Sequence, residues 1–165
     1  MTVPFFSIVT PVFNGEKYIE ETIKSIINQS IDDYEYVIVD NLSTDNTLNI
    51  INKYSSKIHK IISEKDDGMY DALEKGFSFC KGKYFFWLNS DDFLKNKNVL
   101  KNLKKYLSIN PDKEWLIGNT NFRYEKYNFD LKFFPYQYPQ YVVKNGYAHN
   151  CLWGFIQQES TIFSK

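Results

Sequence analysis

Arginine is nearly missing: of the 20 basic residues in this 165-residue sequence all but Arg123 are lysine, and 20 acidic residues balance them. Without a basic excess the chain does not read as a general nucleic-acid binder, and any charged ligand must be held by a local cluster. Cysteine is scarce as well. Cys80 and Cys151 lack CxxC or Cys/His spacing, which excludes a disulfide framework and a zinc site and points to a reduced, cytoplasmic setting. His59 and His149 have no partner at ligand spacing either. Neither GxGxxG nor GxxxxGK[ST] occurs, which argues against dinucleotide-binding and P-loop readings. No long hydrophobic run is present: the stretch from Met1 to Pro11 has no basic leader and is too short for a signal or a span. Contact with a membrane is therefore expected to be peripheral, at its inner face.

What is present is alternation. Apolar runs of strand length alternate with helical periods through the first 110 or so residues, the pattern of a parallel α/β sheet. Strands are expected at Phe5 to Thr10, Tyr36 to Asp40, His59 to Ser63 and Tyr84 to Leu88. Helices are expected from Glu16 to Asn28, after Ser43-Thr44-Asp45, after Asp66-Asp67-Gly68, and from Asn98 to Ser108. Met69, Ala72, Leu73, Gly76, Phe77 and Cys80 share one helical face and read as core, with Gly82 as the helix exit. From Glu114 onward, Tyr- and Phe-rich alternation suggests antiparallel strands added at one side. The aromatic residues there serve either as core or as a sugar-stacking surface.

Ligands of open α/β sheets bind beyond the carboxyl ends of the strands. Here those ends carry Thr10-Pro11-Val12-Phe13-Asn14, Asp40-Asn41, Glu64 to Asp67, and Asn89-Ser90-Asp91-Asp92. Clustered carboxylates would repel a diphosphate unless a divalent cation lay between them, and Mg²⁺ and Mn²⁺ favour such hard oxygen ligands. Taken singly these residues have plainer uses. Asp91 and Asp92 fit a turn cap, Asp40 a strand end, and Tyr70 and Asp71 a helix start that compensates the dipole. The row Lys95, Lys97, Lys101, Lys104 and Lys105 fits a solvated helix face, or contact with acidic headgroups or a lipid-linked diphosphate.

Four ordered segments resemble the family 2 glycosyltransferases of GT-A fold: Ser7 to Asn14; Val37 to Thr47, with its Ser-Thr-Asp turn; Ser63 to Ala72, similar to a branch with a Gly-x-Tyr-Asp-Ala helix start; and Leu88 to Asp92, in the place of the DxD motif. The resemblance implies a Rossmann-like, mostly parallel sheet flanked by helices, with antiparallel strands added after residue 114. It implies a nucleotide-binding part over 1–113 and the start of an acceptor part over 114–165. It further implies that Thr10, Pro11, Phe13, Asn14, Asp40, Asp66, Tyr70, Asp71, Asn89 and Ser90 line a nucleotide-diphosphate-sugar site, UDP-sugar first among candidates, with Asp40 at the base. Asp91 and Asp92 would hold Mg²⁺ or Mn²⁺. The reaction implied is inverting transfer to a saccharide or lipid-linked hydroxyl in surface polysaccharide or glycolipid synthesis.

The sequence departs from the pattern at Asn89, where a first Asp is more common, and at its end. Gly154 to Phe163 is similar to the family's Gln-Glu-Ser-Thr-x-Phe segment, but the acidic motif that carries the general base is not visible after it. Glu159 is the only late carboxylate to nominate as the base. The expectation is therefore either an enzyme seen without its acceptor region, or a non-catalytic nucleotide-sugar-binding domain.

Overall fold

The structure is a computed structural model and describes residues 3–117, 120–124, 129–133 and 161–164. In chain order the elements are β1 (Phe6–Val12), α1 (Ile19–Ile27), β2 (Tyr34–Asp40), α2 (Thr47–Asn52), β3 (Lys60–Ser63), α3 (Met69–Ser78), β4 (Tyr84–Trp87), α4 (Val99–Ile109), β5 (Trp115–Ile117), β6 (Thr120–Tyr124), β7 (Phe129–Phe133) and β8 (Thr161–Ser164). Six strands form one sheet in the order β3-β2-β1-β4-β8-β5, and β6 and β7 pair as a separate antiparallel ribbon. The first four strands run parallel, while β8 is antiparallel to both of its neighbours. The predicted mixed sheet, parallel first and antiparallel after residue 114, is thus the one observed.

Burial on both faces explains why β1, β2 and β4 are almost wholly apolar. One face packs Ile8, Ile38, Tyr36 and Phe86 against Ile19, Ile23 and Ile26 of α1 and Leu100 and Leu107 of α4. The three α1 isoleucines are fully buried. Each contributes roughly 1.5–3 kcal/mol before entropy is counted, so the helix is held by its stripe more than by its nine-residue length. On the other face Val9, Val37, Val39 and Phe85 meet Ala72, Leu73 and Cys80.

Two expectations about the third helix are corrected. Met69 is 38% exposed, because the first residue of α3 stands past the strand ends, where no sheet lies beneath it. Gly82 is not the exit of α3, which ends at Ser78. Gly82 is needed where the chain passes under β1: a Cβ there would sit 2.4 Å from Ser7 Oγ and 2.8 Å from the Phe6 carbonyl carbon.

At the amino edge of the sheet a buried carboxylate ties β1 and β2 to the loop that leads into β4. Ser7 Oγ donates to Glu35 Oε1 at 2.6 Å, the Gly82 amide donates to the same oxygen at 2.8 Å, and the Lys81 amide donates to it as well. Gly82 N–H also reaches Ser7 Oγ at 2.9 Å. The opposite edge carries the loops where function was expected.

Candidate active site

Because β3, β2, β1 and β4 are parallel neighbours, their carboxyl ends lie side by side. The loops 64–68, 41–46, 13–18 and 88–98 therefore follow one another along a single edge. Pro11 shows how sharply that edge is cut. The Val9 carbonyl accepts from Leu88 N–H at 3.0 Å, so two residues on, Pro11 turns its missing donor toward β4, where the ladder has already ended. A proline is tolerated in a central strand only at such a place.

The loops after β1 and β2 are clasped together. Asn14 N–H donates to Ser43 Oγ (2.9 Å), and Asn14 Oδ1 accepts from Thr44 N–H (2.9 Å). Gly15 N–H donates to Thr47 Oγ1 (2.8 Å), Glu16 N–H to Asp45 Oδ2 (3.1 Å), and Asn46 N–H to Glu16 Oε2 (2.9 Å). The clasp holds two residues in left-handed backbone conformations, Asn14 at φ 50° and Leu42 at φ 53°. Asparagine tolerates that region and leucine does not, so Leu42 is kept there by its neighbours. The Ser43-Thr44-Asp45 segment does open a helix as expected: Asp45 Oδ1 accepts from Thr47 N–H (3.0 Å) and Thr47 Oγ1 (2.5 Å). Desolvation works against the Asp45 charge, but the hydrogen bonds from Thr47 and Glu16 outweigh it and lower the Asp45 pKa.

The next contacts extend the clasp to β3. Asp66 N–H donates to Asn41 Oδ1 and Gly68 N–H to Asp66 Oδ1, both at 2.9 Å. Gly68, at φ 114°, provides the left-handed step into α3. Asp67 N–H donates to Asp71 Oδ2 (2.9 Å), and Lys75 lies 3.2 Å from that carboxylate. These partners, the backbone donor first, hold the Asp71 pKa below its ordinary value.

Beyond β1, the turn after β4 is closed by Asp92 N–H donating to the Asn89 carbonyl at 3.1 Å. Asp91 is exposed, while Asn89, Ser90 and Asp92 are half-buried. The residues nominated from sequence at the edge thus fall into two sets. Phe13 (59% exposed), Asn14, Tyr70 (65% exposed) and Asp91 face solvent, and a ligand lying across the edge would meet them. Thr10 and Asp40 have no exposed surface, Pro11 is buried, and Asp66 is 8% exposed.

The buried set is braced by hydrogen bonds within the edge. Thr10 Oγ1 accepts from the buried Tyr36 hydroxyl at 3.1 Å, in the core. Asp40 accepts from the Ser43 amide (3.2 Å) and from Ser63 Oγ (2.7 Å) with its Oδ2. Its carboxylate thus braces the loops that follow β2 and β3. Glu159 and Cys151 lie outside the described residues.

Sequence reasoning placed Asn41 at a strand end and Ser43 at a helix start, but missed that they, with Thr47 and Glu16, bond across the loops and build the clasp. The available signal was the density of Asn, Ser, Thr and Asp just after two predicted strand ends, where such side chains bond neighbouring backbone.

Among the described residues no three His, Cys, Asp or Glu side chains form a preformed metal cage. A Mg²⁺-type ion bound together with a diphosphate needs only one or two carboxylates, the rest of its shell being phosphate oxygens and water. The exposed Asp91 beside Asp92 fits that donor set.

Comparison with known proteins gives the same picture. The family described as Glycosyl transferase family 2 matches residues 7–156. A Bacillus subtilis glycosyltransferase named for teichuronic acid biosynthesis is 36% identical over 104 residues, covering 61% of this chain and 41% of the relative. The structure of Staphylococcus aureus TarS residues 1–349 in complex with UDP-GlcNAc superposes with a TM-score of 0.62 at 29% identity, over 68% of this chain and 33% of that one. A mannosyltransferase of Pyrobaculum calidifontis, solved with GDP-Man and Mn²⁺, shares the fold at a TM-score of 0.61 and 22% identity, over 70% of this chain and 35% of that one. The chain spans about half the length, or less, of the curated relatives it matches. Among the described residues no helix is long and apolar enough to cross a membrane.

Proposed function

The chain belongs to glycosyl transferase family 2, and from that premise we propose that its carboxyl edge binds a nucleotide-diphosphate sugar, a UDP-sugar first among candidates, for inverting transfer to an acceptor hydroxyl. The observation that carries this reading is the clasp of the loops after β1, β2 and β3, on the same edge as the turn that presents Asp91. Phe13 and Tyr70 offer exposed rings at the same edge, where the flat faces of a base or sugar can pack. The TarS complex supports a uridine nucleotide on a fold of this kind. Residues 1–113 supply this half of the site, and 114–165 begin the acceptor half.

In the reaction, the acceptor oxygen bonds to the anomeric carbon from the face opposite the leaving group while the bond from that carbon to the diphosphate oxygen breaks. The hydroxyl proton passes to a base, for which Glu159 remains the sequence candidate. Asp91 and Asp92 would hold Mg²⁺ or Mn²⁺, which when bound neutralises charge building up on the diphosphate. The acceptor would be a saccharide or a lipid-linked hydroxyl of a surface polysaccharide or glycolipid, reached at the inner face of a membrane.

A thermal-shift panel of UDP, GDP and dTDP, each with Mn²⁺ or EDTA, tests the reading. Stabilisation by UDP with Mn²⁺, reduced by EDTA and reduced in Asp91→Ala, is the expected result. No stabilisation by any nucleotide refutes the site. Equal binding by Asp91→Ala in Mn²⁺ refutes its metal role.

A further inference from the structure

Helix α1 carries a polar stripe that nothing in its apolar packing requires. Thr22 and Ser25 lie three residues apart on α1 and so share a face, and Gln29 follows four residues later, just past the end of the helix. Each of them holds the connection between β4 and α4. Thr22 Oγ1 lies 2.9 Å from the Ser90 carbonyl oxygen and 2.7 Å from that of Asp92. Ser25 Oγ accepts from Leu94 N–H at 3.0 Å. Gln29 donates to the Asn96 carbonyl at 2.8 Å and accepts from Leu100 N–H at 3.0 Å. At the end of the helix, Ser30 N–H reaches the Lys97 carbonyl at 2.7 Å.

The contact at Thr22 has a particular consequence. Two carbonyls separated by one residue both turn inward onto a single hydroxyl, which has one proton to share between them. Thr22 itself is 1% exposed, so this donor has no access to water. Drawing in the carbonyls of residues 90 and 92 leaves the residue between them, Asp91, outermost on the turn, and Asp91 is exposed. We propose that Thr22 is a positioning residue: from the buried face of α1 it fixes the backbone of the 89–92 turn so that Asp91 is presented at the ligand edge. This rests on the reading of that edge as a nucleotide-diphosphate site.

The test measures UDP affinity in Mn²⁺ and in EDTA, together with amide hydrogen exchange at Asp92, for the parent chain, Thr22→Val and Thr22→Ser. Valine keeps the shape and removes the donor; serine keeps the donor. Thr22→Val is expected to weaken Mn²⁺-supported UDP binding by about tenfold, the worth of one lost hydrogen bond, and to leave UDP binding in EDTA unchanged. It is also expected to speed exchange at Asp92 by a similar factor, and Thr22→Ser is expected to restore both.

Unchanged binding and exchange in Thr22→Val overturn the proposal. So does an equal loss in Thr22→Ser, which would mark a packing role. If the parent shows no Mn²⁺-dependent UDP binding, the functional reading falls, and the exchange arm still decides whether Thr22 sets the turn. Should Thr22→Val fail to fold, Ser25→Ala interrogates the same stripe at Leu94: a selective loss of the Mn²⁺-dependent part supports the proposal, and no loss overturns it.

Discussion

Replacing Glu35 with alanine tests whether the amino edge of the sheet is held by one buried carboxylate. Glu35 is 8% exposed and its Oε1 receives the Ser7 hydroxyl, the Gly82 amide and the Lys81 amide. After truncation Gly82 N–H keeps Ser7 Oγ as acceptor, so the groups left without a partner are the Ser7 hydroxyl proton and the Lys81 amide. Each orphaned donor costs about 1–3 kcal/mol. Lys81 is exposed, so water can serve its amide and holds that part near the low end. The expected loss is therefore about 2–4 kcal/mol, against about 1 kcal/mol for Ser7→Ala, which removes a single donor from the carboxylate. Urea unfolding followed by tryptophan fluorescence measures both, with the exposed Glu74→Ala as a matched control expected within about 0.5 kcal/mol of the parent. Nucleotide affinity should be unaltered, since the network lies at the edge away from the ligand loops. A Glu35→Ala variant no less stable than Glu74→Ala would refute the reasoning.

Leu42→Gly should leave stability unchanged or raise it by up to about 1.5 kcal/mol. Relief of a left-handed leucine is worth about 1–2 kcal/mol, and the added freedom of the unfolded glycine removes about 0.5–1 kcal/mol of that. The side chain is 52% exposed and loses little burial, so a clear destabilisation in urea would show that Leu42 makes contacts that matter more than its strain. For pH, Asp71 has a folded-state pKa below the ordinary 3.8, so its contribution is present above that value and is lost as pH falls below it. Asp71→Asn should lower Tm slightly at neutral pH and let the two curves converge below about pH 4, where the parent has lost the same contribution; parallel curves for parent and variant would contradict this.

The fold was legible because burial on two faces writes itself into strands such as Tyr36 to Asp40 and Tyr84 to Trp87, and because Ile19, Ile23 and Ile26 mark one helical face. The gathering of chemistry at one edge followed from parallel topology alone. Which groups there are open to a ligand was not legible. Nothing in the sequence separates Asp40, fully buried and occupied by Ser43 and Ser63, from Asp91, exposed on its turn; tertiary hydrogen bonding decides between them. Thr22 reads by periodicity as one more member of the apolar face, and only the approach of the 89–92 turn gives its hydroxyl a use. Met69 was misplaced for the complementary reason, since helical period says which side a residue faces but not whether anything lies beneath it.

β8 arrives late in the sequence and yet lies between β4 and β5. Ile117, where β5 ends, is paired directly with Thr161, where β8 begins. The chain thus departs from the sheet and re-enters it at adjacent points, so Ile117 and Thr161 are pinned side by side although 43 residues separate them in sequence. Such a pairing lets the length of chain between the two strands change while the four parallel strands stay in register.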